Sequence, residues 1–219
     1  MLEDGLGYPV RGEWLGRIVI GGALSLLSVL FFPIFLVTGY FVQVLESTIE
    51  GDDEPPEFTD WGRLFVRGVG ATIIALAYSI VPLFLYGFVV LGFFGAGAAV
   101  GGDAGGFLAG AGVLATLLFV PVLLFVYYLI PAALANYAVG GSIGAGFEFA
   151  TIRSVVFSAE YLVAVLLPIV VAVLIWVASA VLAFTIVGLV LLPFVQFYGQ
   201  MAVFRMFGTA FASVTGRAT

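Results

Sequence analysis

The stretch from Tyr161 to Phe204, YLVAVLLPIVVAVLIWVASAVLAFTIVGLVLLPFVQFYGQMAVF, runs for 44 residues without an Asp, Glu, Lys or Arg. One crossing of a bilayer's hydrocarbon layer takes about 20 helical residues, so this stretch is long enough for two. Its first part, Leu162–Val177, is apolar at every position and has no face to turn toward water. A membrane β-strand would alternate apolar and polar residues over about 10 positions, which this run does not do. Within hydrocarbon only a helix satisfies its own backbone hydrogen bonds, so the stretch reads as two membrane helices.

The same pattern extends along the chain. Uncharged gaps of 28, 35 and 44 residues separate Arg17 from Glu46, Arg67 from Asp103 and Asp103 from Glu148. Across all 219 residues 63% are hydrophobic and the mean hydropathy is +1.25. That is more apolar surface than one water-soluble core can bury, since globular chains run at about 45–50%. The fold predicted is all-α and polytopic, a multi-pass protein of the cell membrane with about five membrane-embedded segments. The later crossings fall at about 69–98, 107–139, 161–182 and 186–207. The whole of 1–219 reads as one integral membrane domain. Met1-Leu-Glu-Asp-Gly opens with acids where a signal peptide carries positive charge, so the first segment is expected to be retained.

The first apolar segment, Ile18–Leu45, is too long for one snug crossing and too short for two, with Pro33 near its middle. It is either one long tilted helix kinked at the proline or two half-helices that enter and leave on the same side. Arginine placement bears on the choice, because Arg concentrates on the cytoplasmic side. A single first crossing splits the seven arginines five to two; a re-entrant one puts all seven on one face, expected to be cytoplasmic.

What the chain lacks excludes much chemistry. It has no Cys, His or Lys, so no disulfide, thiolate, imidazole base or Cys/His metal site is available. No cofactor, metal or catalytic residue is expected, and the chain does not read as an enzyme. Thirteen acids against seven arginines give a net charge of −6 and a pI near 4.4, which offers nothing to nucleic acid. Seven acids fall between Glu46 and Asp60. So acidic an aqueous part resembles proteins of halophilic archaea; a GC-rich genome with one acidic loop is the alternative.

Between the apolar runs lie segments suited to the interface. Residues 1–17 form an interfacial lead-in with Tyr8, Trp14 and Leu15 as anchors and Arg11, Glu13 and Arg17 among headgroups. An acidic aqueous loop occupies 46–60, its prolines barring a helix, and Thr59 or Asp60 is a natural N-cap after it. Two interfacial amphipathic helices are predicted, at 60–68 and 147–159. In the first, Trp61 faces lipid while Asp60, Arg63 and Arg67 share the other face, with an Asp60–Arg63 helical ion pair in reach. In the second, Phe149, Ile152, Val156 and Ala159 recur at helical spacing while Glu148, Thr151, Ser154 and Ser158 populate another face, and Arg153 lies on the same segment. Asp60, Trp61, Arg63, Arg67, Glu148 and Arg153 are the candidate interfacial or docking residues, and an ordinary membrane anchor is the plainer reading. Sliding the sequence by 86 positions sets Phe147 on Trp61, Arg153 on Arg67 and Pro168 on Pro82, which raises a possible tandem parallel repeat.

Several of these segments carry a resemblance. Gly7-Tyr8-Pro9 followed by Trp14, Gly39-Tyr40, and Pro56-Glu-Phe-Thr-Asp-Trp-Gly-Arg-Leu-Phe-Val-Arg-Gly68 resemble the prokaryotic membrane family termed domain of unknown function 4013. Pro131-Ala-Ala-Leu-Ala-Asn-Tyr137 and Gly-Ala-Gly-Phe-Glu-Phe at 144–149 extend the likeness over nearly the whole chain. It implies a membrane fold and location, and brings no activity, substrate or catalytic residue.

Candidate intramembrane polar residues are Asn136, Gln196, Gln200 and Arg205, which mark either a functional site or interhelical hydrogen bonds and a snorkelling arginine. Six prolines (Pro33, Pro82, Pro121, Pro131, Pro168 and Pro193) lie in apolar segments, where broken helices line a cavity or kinks serve packing. The favoured function is a non-catalytic accessory domain that binds membrane lipid, another membrane protein or a second copy of itself. The alternative is a small-solute transporter or channel with proline-broken helices around a cavity. Coupled transport usually needs buried acids, and none lies inside the four long uncharged runs.

Overall fold

A computed structural model describes residues 1–217, and all their regular structure is helical. In chain order these are α1 (Leu2–Gly7), a 3-10 turn (Tyr8–Val10), α2 (Trp14–Leu26) with a 3-10 extension (Leu27–Leu30), and α3 (Phe32–Glu50). There follow α4 (Trp61–Val100), α5 (Gly102–Gly140), a 3-10 turn (Ile143–Phe147), α6 (Phe149–Val156), α7 (Ala159–Leu182) and α8 (Ile186–Thr215). Five of them, α3, α4, α5, α7 and α8, are long and apolar enough to cross a membrane. The chain is a polytopic helical membrane protein.

Local chemistry explains where the helices start. Asp60 Oδ1 accepts the Arg63 N–H at 3.0 Å, Ser158 Oγ the Tyr161 N–H at 3.1 Å and Thr185 Oγ1 the Gly188 N–H at 2.8 Å. Each cap satisfies a donor the helix itself leaves free. Pro33 sits in the first turn of α3, where its missing N–H is not needed. The other five prolines of the apolar segments leave their helices continuous, contrary to the idea of proline-broken helices. Each removes one backbone hydrogen bond, whereas ending a helix in hydrocarbon would strand several polar groups at once.

The first apolar segment is a hairpin. Phe31, at φ 63° and ψ −48°, breaks it, and the chain turns back. The Arg11 guanidinium donates to the Asp53 carbonyl at 3.1 Å, and Arg17 Nη2 lies 3.8 Å from Glu54 Oε2, so the two ends of the segment lie together. The lead-in Leu2–Val10 is bent by 91° from Trp14–Leu30. Two boundaries differ from the sequence reading. Glu46 and Glu50 belong to the last turns of α3, so the acidic loop is 51–60. Residues 61–68 are the first turns of α4, with no breaker to make them a separate helix, whereas α6 is separated from α7 at Phe157-Ser158. The 86-residue offset therefore keeps Pro82 and Pro168 inside long helices without matching the helix ends.

Two compact units divide the chain. Ala75–Ile130 is a helical hairpin made of the second part of α4 and most of α5, reversing at Gly101-Gly102. Both glycines have positive φ, +64° and +59°, which a side chain would resist. Tyr86 and Phe119 meet across it with ring centroids 5.3 Å apart.

Met1–Ile74 and the chain from Pro131 onward form the larger unit. Its core joins α3 and α8 through Tyr40, Phe41, Phe197 and Met201, closed by Tyr8, Phe58 and Leu64. Tyr40 stacks on Phe58 at 4.1 Å, Phe41 on Phe204 at 4.9 Å, and Phe197 lies 5.4 Å from both Tyr40 and Phe41. All seven arginines and 12 of the 13 acids belong to this unit, Asp103 being the exception.

Helices α3 and α4 cross at Gly39 and Gly68 so closely that a Cβ on Gly39 would meet the Leu64 carbonyl and one on Gly68 the Phe35 carbonyl. Backbone cannot swing aside as a flexible side chain does. Gly39→Ala and Gly68→Ala are each expected to destabilise the protein by about 1–3 kcal/mol in detergent thermal unfolding. Gly87→Ala, with nothing within 4 Å, is expected to leave the melting point unchanged or raise it.

Candidate functional site

The polar side chains gather in two places, a network of paired charges at the helix ends and a lateral face of α8. The network begins with Asp4, whose carboxylate bridges Arg11 Nη2 at 2.5 Å and Arg205 Nε at 3.1 Å. Arg205 also donates to the Asp52 carbonyl at 2.7 Å, and its guanidinium lies 4.6 Å from the centre of the Tyr8 ring. Tyr8 in turn donates to the Glu54 carbonyl at 3.2 Å and meets Ser47 Oγ at 3.4 Å. Tyr198 on α8 bonds the Leu6 carbonyl. The N-terminal segment is thereby strapped to both the acidic loop and the last long helix.

Two expectations change here. Arg17, assigned to the headgroups, is buried, and its Nη1 donates to the Arg11 carbonyl at 2.8 Å. Arg205, read as an intramembrane or snorkelling cation, is buried in this network because α8 continues to Thr215. The aqueous loop folds back on both, which supplies the oxygen partners a buried guanidinium requires.

A second cluster centres on Glu46. Its carboxylate takes both Arg63, at 3.1 Å, and Arg67, which presents both terminal nitrogens. The Tyr137 hydroxyl donates to the Arg67 carbonyl at 3.3 Å. The expected Asp60–Arg63 side-chain pair is replaced by this one, since Asp60 caps α4 through the Arg63 backbone and leaves the guanidinium for Glu46. Trp61 is half-exposed and stacks near Phe58 at 5.8 Å.

Asn136 closes a third connection. Its amide donates to the Ala145 carbonyl at 2.8 Å and to Glu148 at 3.2 Å, which ties α5 to the turn before α6. Arg153 is exposed on α6 and makes no ion pair among the described residues. The six candidate docking residues thus do not form one surface: Arg63 and Arg67 converge on Glu46, Glu148 joins Asn136, and Asp60, Trp61 and Arg153 stand apart. Asp4, Tyr8, Arg11, Arg17 and Glu46 complete the network and were not singled out as site residues. Of these, Tyr8 carried a signal, the Gly-Tyr-Pro motif.

Gln196 and Gln200 occupy the other place. Both are exposed on α8, one turn apart. Between α7 and α8 they edge a groove of about 430 Å³ with Pro168, Ile175, Trp176 and Ser179. Between α8 and the α2–α3 hairpin they edge a second, of about 640 Å³, with Ser25, Ser28, Thr38 and Phe41. Gln196 Nε2 and Ser179 Oγ are 3.5 Å apart. Asn136 lines neither groove. Among the described residues no group of three or more His, Cys, Asp or Glu is placed to hold a metal.

The network fixes two expected outcomes. Glu46→Ala leaves the largely buried Arg67 without a counter-charge and is expected to cost about 3–5 kcal/mol in denaturant unfolding. Arg63→Gln removes a half-exposed partner and is expected to cost under about 1 kcal/mol. Burial opposes the charged form of Asp4, but hydrogen bonds from Arg11 and Arg205 and their charges outweigh it and hold the carboxyl below its ordinary value. A lowered pKa contributes stability above the unfolded value that is lost as pH falls through the folded one. Docking of the N-terminal segment is therefore expected to be at full strength at neutral pH and to weaken as pH falls through the lowered value of the folded carboxyl. An environment-sensitive dye on Gly7→Cys should report that transition, and Asp4→Asn should remove it.

Residues 23–184 match the family model described as "Protein of unknown function (DUF4013)". No curated protein and no solved structure matches the chain. The matched region starts within α2 and ends before α8, so the Gly7-Tyr8-Pro9 motif lies outside it and the likeness is shorter than the sequence reading held. Spanning the α2–α3 hairpin, the long α4–α5 pair and α7, that match makes this chain a member of the DUF4013 family.

Proposed function

We propose that this protein is a non-catalytic accessory domain of the cell membrane, one that acts by binding a membrane partner rather than by moving solutes. The observation that carries the reading is the filling of its interior. Where α3 and α8 meet, the rings of Tyr40, Phe41 and Phe197 pack together beside Met201, and all four residues are buried. A transporter builds its site from polar groups converging on a cavity near mid-membrane. Here Gln196 and Gln200 face outward along α8, while Asn136 is engaged at the turn before α6. The polar atoms suited to a ligand thus lie on a lateral face, where another membrane-embedded molecule meets them.

In this reading the arginine-bearing ends face the cytoplasm. Among the described residues acids pair with five of the seven arginines, through Asp4 and Glu46 above all. Arg63, Arg153 and Trp61 remain exposed for the headgroup layer.

Purified protein in proteoliposomes is expected to give no ion or small-solute flux above empty vesicles. Flux that disappears in Gln200→Leu would replace this reading with transport. In intact cells a membrane-impermeant maleimide is expected to leave Asp53→Cys unlabelled and to label Asp103→Cys; the reverse pattern would invert the orientation.

A further inference from the structure

We propose that the Gln196–Gln200 face of α8 is the contact through which two copies of this chain pair in the membrane. This deepens the partner-binding reading above and rests on it. The two side chains lie 10 and 14 residues from the start of α8. At 1.5 Å per residue that places them roughly 15 and 21 Å along the helix, within a hydrocarbon layer about 30 Å thick. Both are exposed there. Gln196 reaches only Ser179, at a long 3.5 Å, and Gln200 makes no hydrogen bond among the described residues. The hydroxyls of Ser25, Ser28 and Thr38 already donate within their own helices, at 2.8, 2.9 and 2.7 Å. Two amides are thus left in hydrocarbon with unused donors and acceptors, and such groups drive helices together.

The chemistry selects the occupant. No Asp, Glu, Lys or Arg lines either groove, so an ionic headgroup finds no counter-charge. Acyl chains offer no hydrogen bond. An amide carries two donors and an acceptor and is complementary to another amide. Two copies insert in the same orientation, because each carries its arginines at the same helix ends and both obey the same positive-inside bias. Their symmetry axis then lies along the membrane normal, and each residue meets its counterpart at equal depth. Gln196 faces Gln196 of the second copy and Gln200 faces Gln200. The grooves on either side of α8, of about 430 and 640 Å³, receive the flanking side chains of the incoming helix.

The absence of cysteine makes the test direct. Gln196→Cys and Gln200→Cys are each expected to form a disulfide-linked dimer on oxidation in native membranes. Val170→Cys, exposed on the outer face of α7, is expected to stay monomeric. In nanodiscs the Gln196→Leu/Gln200→Leu double variant should dimerise at least tenfold more weakly than the wild-type chain. At dilutions where both chains are monomeric its thermal unfolding should match the wild type, which separates lost pairing from misfolding. A wild-type chain that stays monomeric at every density, with neither glutamine position cross-linking, overturns the proposal. So does a monomer that retains a co-purified lipid lost in Gln200→Leu, which would assign the face to a lipid instead. Solute flux is an independent readout: it would defeat the broader accessory reading whichever way the cross-links fall.

Discussion

Charge cannot be left in hydrocarbon, and the larger unit is organised around that constraint. Its helices are free to be apolar over 20 or more residues only because the arginines and nearly all the acids are collected at their ends. Once there, a guanidinium that is buried has to find oxygen partners. Arg205 finds Asp4 and the Asp52 carbonyl, Arg67 finds Glu46, and Arg17 finds the Arg11 carbonyl. These pairings join α1, α3, α4, α8 and the acidic loop. Helix packing in the membrane gains little from apolar burial, since lipid tails are as apolar as leucine, so such polar ties at the ends and close packing between helices carry much of the specificity.

The residues behind the family resemblance acquire a structural explanation in this light. Gly39 and Gly68 are where α3 and α4 touch backbone to backbone. Tyr40 stacks on Phe58 and donates to the Pro56 carbonyl at 3.0 Å, holding the segment that leads to α4. Asp60 caps that helix, Tyr137 binds the carbonyl of Arg67, and Asn136 holds the following turn. These residues are the means by which a proline-rich acidic loop and several helix ends are held in one arrangement.

Much of this was legible in the sequence because hydrocarbon imposes a simple rule. The four long helices announce themselves as uncharged runs, and the hairpin at Ile18–Leu45 is one of the two readings the sequence leaves open, the one that gathers all seven arginines. The N-cap at Thr59 or Asp60 and a short helix within 147–159 followed from local chemistry, and the structure places them at Asp60 and at Phe149–Val156. The partners of the charges were not legible. Arg63 has Asp60 three residues away, yet it turns to Glu46, 17 residues distant, because the backbone of α4 claims the nearer carboxylate. Asp4 and Arg205 are 201 positions apart, and nothing local marks them as a pair. Proline left a break and a kink both open for a related reason: it signals a break in water, whereas in hydrocarbon an intact helix with one missing bond is the lesser cost. Gln196 and Gln200 were recognisable as unusual from residue type alone, but their outward direction depends on how α7 and the α2–α3 hairpin pack around α8.

The central claim is that α2 and α3 double back, so that the start of the chain and the acidic loop share one side and are tied together there. Spin labels at Gly12→Cys and Asp53→Cys in lipid nanodiscs measure this by pulsed electron resonance. A short, narrow distance distribution, centred below about 20 Å, is the result this account predicts. A distribution centred beyond about 30 Å, the thickness of the hydrocarbon layer, would place the two on opposite sides and contradict it.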